Sequence, residues 1–281
     1  MLTGVRPVKL AMKEVSRIFR EHPEVFEGGA GEGVLKEAGA DLLLDGKTRF
    51  AEDILKERFV SRKKAELSWD IAVKEKRIIR SVLNRQDRSY DSFSLYIGIP
   101  VCPSICSYCS FSSGPLSVWK DRMDDYVSSL CTELKLACER VCGMELTSVY
   151  IGGGTPTVLT LPQMERLLTA VGTYFLSGSG RNVEYTLEAG RADTITRDKL
   201  IAAKEYGVNR ISVNPQTMQQ KTLDLVGRKH TVQDTVERYN MARELGFDNI
   251  NMDLIAGLPG EDLTDMEDTL SKVISLEPDS L

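Results

Sequence analysis

No stretch of this 281-residue chain approaches the roughly 20 consecutive apolar residues that a membrane helix needs, so no membrane span is expected. The first residues, Met1-Leu2-Thr3-Gly4-Val5-Arg6-Pro7, contain no apolar segment followed by a small-residue cleavage site. Secretion therefore has no support, and the cytoplasm is the expected location. Histidine is scarce: only His22 and His230 occur. Clustered positive charge is also scarce where it would matter for nucleic acid. The net charge is −5, and residues 91–281 hold 17 Lys and Arg against 26 Asp and Glu, the reverse of a phosphate-binding surface. Residues 1–90 carry 19 against 15, and their basic run from Arg62 to Arg80 reads as a solvated helix face.

What remains is an ordinary globular composition, with 42% hydrophobic and 27% charged residues, and a length that suits one to two domains. Six cysteines in such a chain do not form a disulfide framework in a reducing compartment. They fall into two groups. Cys102, Cys106 and Cys109 crowd into eight residues, whereas Cys131, Cys138 and Cys142 recur at intervals of seven and four through a helical stretch, where they share one face and pack as small hydrophobes.

Residues 1–90 read as a mostly helical region, with helical spacing of apolar residues in Val8–Ile18, Ala51–Phe59 and Trp69–Leu83. The glycine cluster Gly28–Gly33 has no preceding strand and no Gly-Lys-Ser/Thr ending, so it reads as a linker and not a phosphate loop. From residue 91 the pattern alternates. Strands are predicted at Leu95–Ile99, Ser148–Ile151, Val183–Leu187, Arg210–Val213 and Ile250–Ile255, with helices at Val118–Cys142, Leu161–Phe175, Thr196–Tyr206, Val232–Leu245 and Thr264–Leu276. Thr160 with Pro162 suits a helix start, and Gly207 and Gly246 suit left-handed helix ends. Five strand–helix units in alternation predict an α/β fold with a parallel sheet, a partial (β/α) barrel over residues 91–281. Residues 276–281 read as a helix end and the start of a sixth strand, and a parallel sheet stopping there has an open edge, so the chain is expected to be a fragment.

The CxxxCxxC triplet directly after the first predicted strand carries the strongest chemistry. Three thiolates on one loop can hold three irons of a [4Fe–4S] cube and leave the fourth open for reaction. Zinc is the rival, but a closed structural site takes four ligands, and neither histidine follows the triplet at ligand spacing.

The triplet resembles the hallmark of the radical S-adenosylmethionine (SAM) superfamily. Within it, Tyr96-Ile97-Gly98-Ile99-Pro100-Val101-Cys102 and Cys106-Ser107-Tyr108-Cys109-Ser110-Phe111 resemble the oxygen-independent coproporphyrinogen III oxidase (coproporphyrinogen dehydrogenase) family. So do Tyr150–Thr157, Gly207–Ser212, Gly227–His230 and Asp253–Gly260, in that family's order. The opening Leu2–Lys9 is similar to an internal segment of the family's clostridial-type variant. The resemblance implies a (β/α)6-type barrel, a [4Fe–4S] cluster on Cys102, Cys106 and Cys109, and SAM as second cofactor. It implies SAM contacts from Tyr96, Tyr108, Gly153, Gly154, Thr155, Glu188, Gln216, Arg228 and Asp253, and it assigns no catalytic side chain. Glycines after the second strand would let backbone amides meet the amino-acid end of SAM, and a carboxylate at Glu188 can accept two ribose hydroxyls. The implied reaction is oxidative decarboxylation of two propionates of coproporphyrinogen III to vinyl groups. It would give protoporphyrinogen IX in haem biosynthesis, with a tetrapyrrole substrate and an unidentified electron donor as partners.

This sequence departs from the better-known branch at Gly98, Val101 and Ala189-Gly190-Arg191, where the clostridial-type variant looks alike. Arg191 and Arg228, both after strands, are the candidates to face the substrate's carboxylates. A haem-binding chaperone of the same superfamily keeps the triplet and is the alternative; an inactive fragment is the third.

Overall fold

The computed structural model describes residues 7–22, 37–83, 92–111, 113–177 and 183–281. The glycine cluster Gly28–Gly33 and the first six residues lie outside the described residues. The chain divides into two compact units, Met1–Tyr90 and Asp91–Leu281.

In the first unit, helix α1 (Pro7–Glu21) buries Ala11, Val15, Ile18 and Phe19, one stripe at helical spacing. Helix α2 (Glu37–Arg58) and helix α3 (Arg62–Leu83) close the core with Leu43, Phe50, Ile54, Ala65, Trp69 and Ala72. Helix α2 starts fourteen residues before the helix expected from Ala51, and two glycines inside it explain the miss. Gly39 and Gly46 lower helix propensity, so the segment does not announce itself. The reason for Gly46 is packing: a Cβ there would stand 2.7 Å from the Trp69 ring and 2.9 Å from Ile18 Cδ1. Phe50 lies one turn further on, its ring 5.6 Å from that of Trp69.

The second unit carries a five-stranded, wholly parallel sheet in chain order: β1 (Ser92–Ile99), β2 (Glu145–Gly153), β3 (Glu184–Glu188), β4 (Arg210–Ser212) and β5 (Ile250–Asn251). The crossovers contain helices α4 (Met123–Arg140), α5 (Leu161–Val171), α6 (Arg197–Glu205) and α7 (Val232–Glu244), and helix α8 (Leu263–Ile274) follows β5. Register explains how the sheet sorts its faces. Ile97, Ile151, Leu187, Ile211 and Ile250 are partners across all five strands and are fully buried. They form one core with Val127 and Leu134 of α4, Leu167 and Leu168 of α5 and Val273 of α8. Period-two alternation puts their neighbours on the other face: Tyr96 opposite Tyr150, Gly98 opposite Gly152, and Glu188 opposite Ser212, which is opposite Asn251. One face is thus aliphatic under helices, and the other is small and polar.

The ends behave as their sequence requires. Thr160 and Gln163 form a capping box at the start of α5, and Gly207 and Gly246 sit at φ 88° and 82° after α6 and α7. Ser280 forms a parallel bridge to Asn251, and Met252 donates to its carbonyl at 3.0 Å, on the far side of β5 from β4. Cys131 and Cys138 pack half-buried against the core, Cys138 donating to the Tyr174 carbonyl. Cys142 does not join them: α4 ends at Arg140, so the helical face stops short and Cys142 is exposed. Among the described residues no helix is long and apolar enough to cross a membrane.

Candidate functional site

The five strands of a parallel sheet deliver their C-terminal ends to one edge, and the loops leaving that edge are where such folds place their chemistry. A cavity of about 290 Å³ opens there. Its wall is made by Cys102, Cys106, Tyr108 and Cys109 after β1, Gly153, Gly154 and Thr155 after β2, Glu188, Gly190 and Arg191 at the end of β3, Asn214, Gln216 and Arg228 after β4, and Asp253 and Ile255 after β5. Every residue singled out from the sequence is in this wall except Tyr96.

Tyr96 faces the same side of the sheet but is 63% exposed, its ring stacked at 5.8 Å on Tyr150. Tyr150 in turn donates its hydroxyl to Glu188 Oε2 at 3.3 Å. The tyrosine pair therefore reaches the cavity through Glu188 and not through its own rings. Burial raises the Glu188 carboxyl above its ordinary range, although the Tyr150 hydroxyl and the Gly153 amide oppose the shift. Gly152 makes room for this arrangement, since a Cβ there would stand 2.6 Å from Glu188 Oε2 and closer still to the Tyr150 ring.

The cysteine loop is held at several points. Gly114 donates to Pro100 O, Cys109 to Cys106 O, and Ser107 to Val226 O at 3.1 Å. Two of the three sulfurs receive donors from outside the loop: Thr155 Oγ1 at 3.5 Å from Cys102 Sγ, and Arg191 Nη1 at 3.4 Å from Cys106 Sγ. Among the described residues no three His, Cys, Asp or Glu side chains converge on a point that could hold one metal ion. The three thiols line one shared cavity, a donor set that suits a cluster offering each thiolate its own iron. The donor set and its hydrogen-bond donors to sulfur fit the cube.

The glycine loop works differently from the expectation that its amides meet a ligand. The Gly154 amide donates to Ile99 O at 2.8 Å and the Thr155 amide to Val101 O at 2.9 Å, so both are consumed in tying β2 to the strand that leads into the cysteines. A Cβ on Gly154 would meet Val101 O at 2.7 Å and Ile99 O at 2.9 Å, both backbone atoms. Close backbone approach requires glycine at position 154, which also lines the cavity.

Gln216 is buried with φ 66°, a left-handed conformation that non-glycine residues rarely adopt. It is held there by two backbone bonds, its amide to Asp253 O and its carbonyl from Ile255 N, both 2.9 Å. Strain of this kind costs about 1–3 kcal/mol and collects at functional sites. Asp253 accepts from both sides, from Asn214 Nδ2 at 2.9 Å and Asn251 Nδ2 at 2.7 Å. The two amides that orient it were not singled out from the sequence.

Arg191 and Arg228 line the cavity, but neither stands ready for a substrate carboxylate as expected. Arg228 is buried and donates to Tyr108 Oη, Gly190 O and Asn214 O. Burial pushes the Tyr108 hydroxyl up to about 12, so the phenol stays neutral. Arg191 is 3% exposed and gives its donors to Ser104, Cys106 and Asp193.

A parallel strand–helix fold with a cysteine-triplet loop and acidic and arginine residues at one strand-end cavity defines a cofactor-dependent α/β enzyme class whose reactive centre is an open iron–sulfur cluster. The Radical SAM superfamily matches residues 96–273, and the chain belongs to it; its cofactors are a [4Fe–4S] cluster and SAM. The chain is 35% identical over 285 residues to the oxygen-independent coproporphyrinogen-III oxidase-like protein HemZ of Bacillus subtilis, covering 100% of this chain and 50% of that protein. It is 35% identical over 184 residues to the heme chaperone HemW of Bacillus subtilis, covering 66% and 48%. The structure of coproporphyrinogen III oxidase (HemN) from Escherichia coli, a radical SAM enzyme, superposes with a TM-score of 0.62 at 28% identity, over 73% of this chain and 45% of that one. The chain spans about half the length of these relatives.

Proposed function

We propose that the chain is the radical SAM part of an oxidoreductase of the HemZ type, the clostridial-type variant, which oxidatively decarboxylates the propionates of coproporphyrinogen III to vinyl groups in the cytoplasm. The observation that carries this is the cavity in which the three free thiols face Glu188, Gln216, Arg228 and Asp253. Cys102, Cys106 and Cys109 would hold the cluster, and the opposite wall would hold SAM. When bound, the two together would supply the hydrogen-atom abstraction with which oxidative decarboxylation of a propionate begins, an external acceptor taking up the electron left over. The protein's own work is placement. Glu188 accepts ribose hydroxyls, Asp253 is aimed by its two asparagines, Gln216 is fixed by its backbone, and Arg228 braces Tyr108 against the turn after β4.

The likeness to HemZ runs the whole length of the chain, helical first unit included, while that to HemW covers two thirds, which favours the oxidase-type reading. A haem chaperone is the second reading because the HemW match is equally identical where it extends. Anaerobically reconstituted full-length protein given SAM, a low-potential reductant, an electron acceptor and coproporphyrinogen III should form methionine, 5′-deoxyadenosine and vinyl-bearing porphyrinogen, read by chromatography. Stoichiometric haem binding with no porphyrinogen product would replace the oxidase by the chaperone.

Glu188 gives a pH signature. Its folded carboxyl titrates above the ordinary range, and only the anion accepts both ribose hydroxyls, so SAM affinity should fall as pH drops through that raised value. In Glu188→Gln the acid limb should vanish and affinity at neutral pH fall roughly 10- to 100-fold, the worth of a charge-assisted hydrogen bond. Calorimetry across pH checks both, with iron content as the control for an intact cluster.

A further inference from the structure

Arg191 was expected to face substrate, yet the fold buries it behind the cysteine loop. It sits three residues past the end of β3, in a segment that Asn214 and Arg228 also reach through Gly190. Its guanidinium has two sides. On one, Nε and Nη2 make a two-pronged pair with Asp193 at 3.2 and 3.3 Å. On the other, Nη1 reaches Ser104 O at 3.3 Å and Cys106 Sγ at 3.4 Å, and Nη2 reaches Ser104 Oγ at 3.0 Å. Cys106 is the buried member of the triplet. Behind the pair, His230 is buried with Nδ1 3.7 Å from Asp193 Oδ1, too long for a hydrogen bond. Burial works against the Asp193 carboxylate, but the Arg191 guanidinium bonded to it holds it below the usual range, so the pair is ionised.

A buried cation is stable only if paired, and this one is paired on one side with Asp193 so that the other is left for Ser104 and the Cys106 sulfur. Hydrogen bonds and net charge at cluster sulfurs set the reduction potential of an iron–sulfur centre, and donors of this kind stabilise the reduced, more negative form. We propose that Arg191 is a positioning residue that fixes Ser104 and Cys106 as one wall of the cluster site and raises the cluster's reduction potential through its N–H···S bond, with Asp193 as the counter-charge that limits the increase. The proposal rests on the three cysteines holding the cluster.

Two substitutions separate this from a merely structural role. Arg191→Gln removes the cation and leaves Asp193, so the midpoint potential should become more negative; Asp193→Asn leaves the cation uncompensated, so it should become less negative. Opposite signs are not produced by loosening the fold. The measurement is an anaerobic potentiometric titration of the reconstituted chain, followed by electron paramagnetic resonance, with the rate of iron loss to a chelator alongside. Iron loss from Arg191→Gln should be about 10- to 100-fold faster than from the parent, the usual effect of removing an outer partner of a metal ligand, and Arg191→Lys should recover part of it. If Arg191→Gln cannot be loaded with iron while Arg191→Lys can, the positioning role stands on that pair, and Asp193→Asn still reads the potential. Potentials that are unchanged in both variants, or that move in the same direction, overturn the proposal. A parent protein that binds no cluster through the triplet overturns the underlying reading instead.

Discussion

Alanine at Cys102, Cys106 or Cys109 should each abolish the cluster, while alanine at Cys131, Cys138 or Cys142 should leave about four irons and four sulfides per chain. The contrast follows from where the thiols stand. The first three share one cavity, and two of them receive hydrogen bonds that a thiolate favours. Of the others, Cys138 donates its own proton to a backbone carbonyl, burial pushes the Cys131 thiol up, and Cys142 lies in solvent beyond its helix. A thiol held as a donor or kept protonated is a poor iron ligand. Iron and sulfide analysis with the visible absorption of the reconstituted variants checks it. Full cluster in all three triplet variants would remove the central assignment, and loss in any of the second three would mean that the helix was misread.

Gly154→Ala should be the most damaging single methyl in the second unit. The added carbon would meet Val101 O, Ile99 O and Val101 N, all at 2.9 Å or less and all backbone, so no side chain can swing aside. Relief requires β2 to part from the segment leading into Cys102, and that breaks the Gly154 and Thr155 amide bonds. Overpacking of this kind costs about 1–3 kcal/mol, and in a domain of this size each kcal/mol lowers Tm by roughly 2–4 °C. Cluster occupancy should fall with it, because the displaced carbonyl belongs to the residue before the first cysteine. Thermal unfolding and iron content of the variant, compared with Gly172→Ala, where the added methyl meets open space, decide it. A Tm and iron content equal to the parent's would refute the argument.

The sheet and its site were legible for the same reason: period-two aliphatic runs such as Ile97–Ile99 and Tyr185–Leu187 mark strands, and in a parallel sheet the loop after each run belongs to one edge. Local signals therefore placed Cys102, Thr155, Glu188, Gln216 and Asp253 at one edge, while their choice as cofactor contacts came from the family resemblance. Contacts between loops left no such trace. Arg191 looked like a substrate ligand because nothing in its own neighbourhood reveals that Cys106, 85 positions earlier, would accept its hydrogen bond. The triple glycine gave no sign that Gly154 also answers to the backbone of residues 99 and 101, because a demand for backbone closeness and a demand for ligand closeness select the same residue. Helix α2 was half hidden because Gly46 answers to Trp69 in another helix, and propensity weighs only the local chain. The left-handed backbone of Gln216 is set by residues 253 and 255, equally out of reach of a local pattern.

The wall of the cavity is assembled from distant parts of the chain. Its cysteines lie within eight residues of one another, but Gln216, Arg228 and Asp253 stand more than a hundred positions further along. Long loops must close before such distant partners meet, and contacts of high sequence separation form late and slowly. The cysteine loop can thus form while the wall opposite it has not, and a nascent chain that acquired a cluster early would carry it exposed until the fifth strand docks. A cluster loaded at that stage would meet oxygen during synthesis as well as during turnover.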